Sequence, residues 1–217
     1  MQIKALLEIE ENVAFIKRHL HQDARQLLLK YAQDPDKRRL CEQIIARQKI
    51  RKKLPEYYQN LRLIMPPQLN LEQCSREEVA SLKAGLLPKG KSMADLTGGM
   101  GIDFQHLSEK FEEAHYNEID PNLKELVEHN LAILLGQKAF KTYGKAAEEL
   151  IKFLPQQDLI YLDPARRDMD DRKLVALDQY QPNVLQMWPD LKAKTNQLLL
   201  KVSPMVSISA VQKEFDH

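Results

Sequence analysis

The sequence predicts an α/β protein: a doubly wound, mostly parallel sheet preceded by an all-helical region. Three observations predict it. No glycine occurs before Gly85, and up to there apolar residues recur near the 3.6-residue period of a helix. From about Ser92 onward, short apolar runs alternate with helical stretches at spacings that suit parallel strands joined by crossover helices. The 217 residues, 43% of them hydrophobic, are enough to cover both faces of such a sheet.

Taken in order, Val13, Phe15, Ile16 and Leu20, then Leu27, Leu28 and Tyr31, form helical packing stripes. Asp34 before Pro35 is a helix start, with Leu40, Ile44, Ile45 and Ala46 on an apolar face opposite Arg38, Arg47 and Arg51; Pro55 ends or bends that helix. Met65-Pro66-Pro67 forces an extended connector, since a residue before proline avoids the α region. The domain boundary therefore falls between about Asn60 and Leu71, giving a helical region over 1–65 and an α/β domain over 66–217. One more helix follows, with Ser75 as N-cap, Glu78 completing a capping box, and Val79, Leu82 and Leu86 as its stripe. Strands are predicted at Ser92–Leu96, Glu113–Asn117, Ala139–Tyr143, Leu159–Leu162 and Gln197–Val202, with helices near 102–112, 121–135, 145–153 and 173–193.

In such sheets ligands bind at the carboxyl ends of the strands, so the residues after each strand are the candidates. The first ends in DLTGGMGIDF, residues 95–104. Its glycines permit a tight turn and close approach of backbone to a ligand. A dinucleotide fingerprint would place a third glycine where Phe104 stands, and a pyrophosphate would not welcome the carboxylate of Asp95. That carboxylate suits a cofactor carrying ammonium and sulfonium groups, as S-adenosylmethionine does. Glu118 ends the second strand 17 residues past Gly101, where an acid can accept two hydrogen bonds from ribose hydroxyls. Asp120 before Pro121 reads as an N-cap. The fourth strand ends in Asp163-Pro164, a carboxylate on a stiff backbone suited to orienting a substrate group, although Asp-Pro is also an ordinary turn. The fifth runs into Lys201-Val-Ser203-Pro204, where Lys201 either faces the same edge or is a solvated lysine.

The net charge of +1 conceals two unlike parts: residues 1–70 carry +6 and the remainder −5. Basic side chains concentrate from Lys37 to Arg62, so a polyanion is a candidate partner. No apolar run approaches the roughly 20 residues that span a bilayer, and the charged amino terminus is unlike a signal peptide, so a cytoplasmic protein without membrane attachment is expected. Cys41 and Cys74 are too few for a disulfide scaffold or a zinc site, and no metal is expected.

With these residues assembled, the chain resembles the class I S-adenosylmethionine-dependent methyltransferases. More narrowly, it is similar to bacterial members with a helical region before the Rossmann-like methyltransferase domain and a THUMP-like domain after it. The carrying segments are LPEYYQN, PPQLNLEQCSREEVASLKA, DLTGGMGIDF, YNEIDPNLKELVEHN, DLIYLDPARRD and LLLKVSP, within residues 54–205. The resemblance implies S-adenosylmethionine as cofactor, its methionine part held by Asp95, Thr97, Gly98, Gly99 and Gly101 and its ribose by Glu118. It also implies a covering segment that includes Gln73, Ser75 and Lys83, for which capping and surface roles are alternatives.

Three departures bear on this. After the third strand, Tyr143-Gly144-Lys145 offers a lysine where many methyltransferases place an acid near adenine. Ala165 and Arg166 replace the proline and aromatic residue that amino-methylating relatives carry, which puts base stacking there in question. The chain also stops soon after the fifth strand, before the last two strands of the fold and the THUMP-like domain, so a longer protein is expected. The implied function is methylation of RNA, a tRNA or rRNA, at a base nitrogen oriented by Asp163 and Pro164, with Arg166, Arg167 and Lys201 on the substrate. A small-molecule methyltransferase, a non-catalytic RNA-binding module that retains the fold, and a nicotinamide-dependent oxidoreductase are the alternatives. The oligomeric state is not legible.

Overall fold

A computed structural model describes residues 2–166, 180–203 and 215. Seven helices come first: α1 (Gln2–Glu8), α2 (Glu10–His19), α3 (Ala24–Lys30), α4 (Pro35–Ile50), α5 (Pro55–Gln59), α6 (Gln68–Gln73) and α7 (Glu77–Gly85). Then β1 (Gly90–Asp95), α8 (Ile102–Ser108), β2 (Phe111–Asn117), α9 (Pro121–Leu134), β3 (Phe140–Tyr143), α10 (Ala147–Phe153) and β4 (Leu159–Leu162) alternate as expected. The short strands β5 (Ala165–Arg166) and β6 (Tyr180–Gln181) precede α11 (Val184–Lys194) and β7 (Leu198–Leu200).

The five-stranded sheet has the order β3-β2-β1-β4-β7, and every pairing in it is parallel. Strand direction alternates side chains between two cores. Leu159 and Tyr161 of β4 join Met93, Phe104, Tyr116, Val127 and Leu131 on the face covered by α8 and α9. Ile160 and Leu162 join Ala94, Leu150, Ile151, Met187 and Leu191 on the face covered by α10 and α11. The sheet grows outward from β1 to β3 and returns to β4 on the other side of β1, so strand order reverses between β1 and β4. A ligand site is expected at that point.

The helical region packs on the same body. Tyr57, Leu63, Met65, Leu71 and Ala80 share a buried cluster with Met100 and Ile102, and the Asn130 side chain bonds both the N–H and the C=O of Ile64 at 2.8 Å. Asp34 and Asp120 cap α4 and α9 as predicted, each with a proline in the first turn.

Several expectations are corrected. Pro55 opens α5 instead of ending α4, which stops at Ile50. Arg47, expected on the outer face, is fully buried: its guanidinium donates to the carbonyls of Leu61 (3.0 Å) and Leu63 and to the Gln43 side chain (3.1 Å), serving a connector whose carbonyls have no sheet partner. The residue that caps α7 is Arg76, with no side-chain bond, because the Ser75 hydroxyl turns to Asp103. Val79, Leu82 and Leu86 face outward, Leu82 at 65% and Leu86 at 77% exposure, while the smaller Ala80 and Ala84 are buried. Helix α8 ends at Ser108, so β2 begins at the buried Phe111. The antiparallel β5–β6 pair was not foreseen, and residues 167–179 of the interval assigned to strand end and helix lie outside the described residues.

Most of the basic excess between Lys37 and Arg62 has partners on the protein. Lys37 pairs with Asp34, Arg38 with Glu42, Arg39 with Asp36 and Arg62 with Glu10. Lys53 donates to the carbonyls of Leu71 and Glu72, both at 2.7 Å.

Candidate active site

A cleft of about 1020 Å³ opens over the carboxyl ends of the strands. Thr97, Gly98 and Gly99 after β1 form its floor, with Glu118 and Ile119 after β2, Lys145 and Glu148 around the start of α10, Asp163 and Pro164 after β4, and Lys201 after β7 completing the wall. Gln73, at the end of α6, and Ser75, in the connector to α7, close it. The structure thus brings together most of the predicted site. Asp95 and Gly101 lie behind the loop, off the cleft wall; Arg166 belongs to β5, and Arg167 lies outside the described residues.

The glycines of the loop divide their work. A Cβ on Gly98 would stand 2.1 Å from the Tyr116 ring, whose hydroxyl donates to the Gly99 carbonyl at 2.6 Å. Gly101 has φ +72°, and its missing side chain makes room for Val127. Both are therefore required by packing beneath the loop. Gly99 meets no such obstruction, and its N–H donates to Glu118 Oε2 at 2.9 Å.

Glu118 Oε1 accepts from the Asp120 N–H at 2.8 Å. Each oxygen keeps a second lone pair, so the carboxylate can still accept from a ligand. Asn117 locks the neighbouring loop, bonding the Leu96 carbonyl at 2.9 Å and both backbone groups of Lys145. Ile119, 65% exposed, and the Glu148 carboxylate were missed in the sequence. Ile119 sits one residue past the motif acid, and Glu148 lines the same cleft from the first turn of α10.

Four carboxylates converge here. Asp95 is 1% exposed; Oδ1 accepts from the Thr97 N–H at 3.0 Å and Oδ2 has no partner among the described residues. Burial pushes its carboxyl well above the ordinary 3.8, partly opposed by the Thr97 N–H and reinforced by the charges of Asp103, Asp163 and Glu118. Burial also raises Asp163, while Lys201, 2.5 Å from Oδ2, pulls the other way. Asp103 escaped sequence reasoning because it sits inside a helix, with no strand-end signal. Burial raises it too, but the Lys83 ion pair at 2.5 Å and hydrogen bonds from Lys83, Ser75 (2.6 Å) and Tyr161 (2.7 Å) outweigh that and leave it below 3.8. A cleft so lined favours a ligand that brings positive charge together with hydroxyl donors. S-adenosylmethionine, with its ammonium, sulfonium and ribose, fits that donor set.

The fold and the strand-end site define the class: a Rossmann-like α/β protein with the methyltransferase arrangement of sheet and helices. Among solved structures, the chain is similar to a candidate methyltransferase from Porphyromonas gingivalis W83, at 26% identity and a TM-score of 0.78 over 94% of this chain and 51% of that one. This chain therefore spans about half the length of that protein. It also matches a candidate RNA methyltransferase from Pyrococcus horikoshii (19% identity, TM-score 0.45, 64% of this chain and 68% of that one). A SAM-dependent methyltransferase from Agrobacterium tumefaciens matches at 13% identity and a TM-score of 0.44, over 64% of this chain and 47% of that one. These last two likenesses are too distant to bear on substrate. No family model and no curated protein matches the chain.

Proposed function

We propose that the protein is an S-adenosylmethionine-dependent methyltransferase that acts on a nitrogen of an RNA base. The observation that carries the cofactor is the convergence of Glu118 and Asp163 on one cleft at the strand-order reversal, with the buried Asp95 behind its floor and Asp95 Oδ2 unpartnered among the described residues. Glu118 holds the ribose through its spare lone pairs. Ile119 gives the adenine an apolar surface, and Glu148 accepts from its amino group. Thr97 to Gly99 cradle the methionine part, and Asp95 behind them fixes the loop through the Thr97 N–H and supplies negative field. Gln73 and Ser75 cover it. When bound, the cofactor supplies an electrophilic methyl on a sulfonium whose departing thioether is neutral.

The work left to the chain is orientation and proton handling. Asp163 accepts a hydrogen bond from the substrate N–H, aims the nitrogen lone pair, and receives the proton as the N–C bond forms. Pro164 stiffens the backbone that carries it. RNA is supported by the +6 balance of residues 1–70, whose exposed ion pairs are worth only about 0–1 kcal/mol each and can yield to phosphate. Arg166 and Arg167, beside Asp163 in sequence, add phosphate contacts in this reading.

Calorimetric titration of S-adenosylmethionine into the wild type, Asp95→Ala and Glu118→Ala tests the cofactor site. Binding to the wild type and its weakening in both variants is expected; undiminished binding in both overturns the assignment. Transfer of labelled methyl to total RNA, lost in Asp163→Asn, is the expected catalytic result, and labelling of small molecules alone overturns the RNA reading.

A further inference from the structure

Lys201 and Asp163 do not form an isolated pair. The Lys201 ammonium lies 2.5 Å from Asp163 Oδ2 and 3.2 Å from Ser75 Oγ. Ser75 spends its own proton on Asp103 Oδ2 at 2.6 Å, so its oxygen is left to accept from Lys201. Asp103 is held in turn by Tyr161, from β4, and by Lys83, from α7. Two carboxylates and two ammonium groups therefore alternate through one hydroxyl, and the chain joins the α6–α7 connector to the ends of β4 and β7. Charge alternation of this kind, in a partly buried setting, fixes the position of each member.

We propose that Lys201 is a displaceable counter-ion on Asp163, and that Ser75 and Asp103 are positioning residues that set where it stands. This rests on the reading of Asp163 as the substrate acceptor. With Lys201 in place, Asp163 Oδ2 is occupied and a substrate N–H has to displace the ammonium. Ser75 provides the second station: Lys201 moves toward an oxygen it already touches, one hydroxyl away from the Asp103 carboxylate. The same link makes the covering connector sensitive to what occupies Asp163.

Two measurements test this, the first without any cofactor. Competitive acetylation of the folded protein, read lysine by lysine by mass spectrometry against the exposed Lys89, reports how firmly Lys201 is held. Ser75→Ala and Asp103→Asn are each expected to raise Lys201 labelling by about tenfold, the equivalent of losing one charge-assisted hydrogen bond. Ser75→Thr keeps the hydroxyl and is expected to restore the wild-type rate. Ser75→Ala makes almost no change in volume, so the measurement stands even where Asp103→Asn fails to fold. Unchanged Lys201 labelling in Ser75→Ala overturns the proposal.

The second measurement compares S-adenosylhomocysteine with sinefungin, which carries an amine where the cofactor carries its methyl. Lys201→Met is expected to raise the preference for sinefungin by about tenfold, because it removes a competing cation from Asp163. Both ligands bound with an unchanged preference overturns the proposal and leaves the cofactor site intact. Neither ligand bound by the wild type overturns the cofactor reading, and with it the role given to Lys201.

Discussion

The Asp163 N–H donates to the Thr97 hydroxyl at 2.7 Å, joining the loops that follow β1 and β4 where the strand order reverses. The carboxylate assigned to the substrate and the loop assigned to the cofactor are thus held in register by one side chain. Thr97→Val keeps the shape and removes the acceptor, leaving the N–H unpaired at a cost of about 1–3 kcal/mol. At about 2–4 °C per kcal/mol for a chain of this size, the melting temperature falls by several degrees, and Thr97→Ser recovers it. Thermal melts of the two variants check this.

Asp95 contributes stability with the opposite sign from an ordinary paired carboxylate. Its folded-state pKa is raised, so the native state holds the proton more tightly than the unfolded chain, and stability falls as pH climbs from 3.8 through the raised value. Asp95→Asn keeps an oxygen for the Thr97 N–H and abolishes the buried charge. It is expected to melt higher than the wild type at pH 7, by an amount that shrinks toward zero near pH 3, while binding S-adenosylmethionine less well. Melts across pH 3–8 with parallel calorimetry separate the two effects.

Gly98 is fixed by packing as well as by any ligand. Gly98→Ala puts a methyl into the Tyr116 ring, which is locked in the core against Phe104 and by its bond to Gly99. Overpacking of this kind costs about 1–3 kcal/mol. The loss of melting temperature is expected with or without cofactor present, whereas Gly99→Ala, which meets no neighbouring side chain but must hold φ +52° at a cost of about 1–2 kcal/mol, is expected to lose binding in addition to that stability. Comparing each variant's melt with and without S-adenosylmethionine checks the division.

The alternation of strands and helices was legible because each strand is a short apolar run bounded by turn residues, and the site residues at strand ends followed from the topology. What escaped was decided by tertiary contacts. Arg47 has the sequence character of a solvated residue, and its burial is explained by the carbonyls of Leu61 and Leu63, which accept from its guanidinium. Asp103 and Tyr161 are polar partners brought together from a helix and a strand that are distant in sequence. In α7 the period was right and the face wrong, because Ala80 and Ala84 allow close approach to the neighbouring elements and Val79, Leu82 and Leu86 do not.

That reversal of faces is itself testable. Leu82→Gln is expected to change stability by no more than about 0.5 kcal/mol, the range of ordinary surface substitutions. Ala80→Leu, on the buried face, is expected to cost about 1–3 kcal/mol through overpacking. Denaturant titrations of the two variants reverse the order that the sequence pattern alone predicts.

Arg47 tests the joint between the helical region and the extended connector. Burial pulls its guanidinium down to about 10, so it remains charged at neutral pH, held by the carbonyls of Leu61 and Leu63 and by Gln43. Arg47→Met removes a desolvated charge, which favours the fold, but it orphans carbonyls at about 1–3 kcal/mol each. The second effect wins because two carbonyls depend on the one group. A net loss of about 2 kcal/mol, or about 4–8 °C in melting temperature, is expected. Arg47→Lys recovers little of it, since a single ammonium cannot span the positions reached by a fork of two amino groups. The Asn130 bonds to Ile64 lie on the far side of the same connector, so the loss is expected to spread to the protection of the Ile64 amide in hydrogen exchange. Full wild-type protection at Ile64 in Arg47→Met would show that Asn130, with the Gln43 bonds to Met65, holds the connector without Arg47.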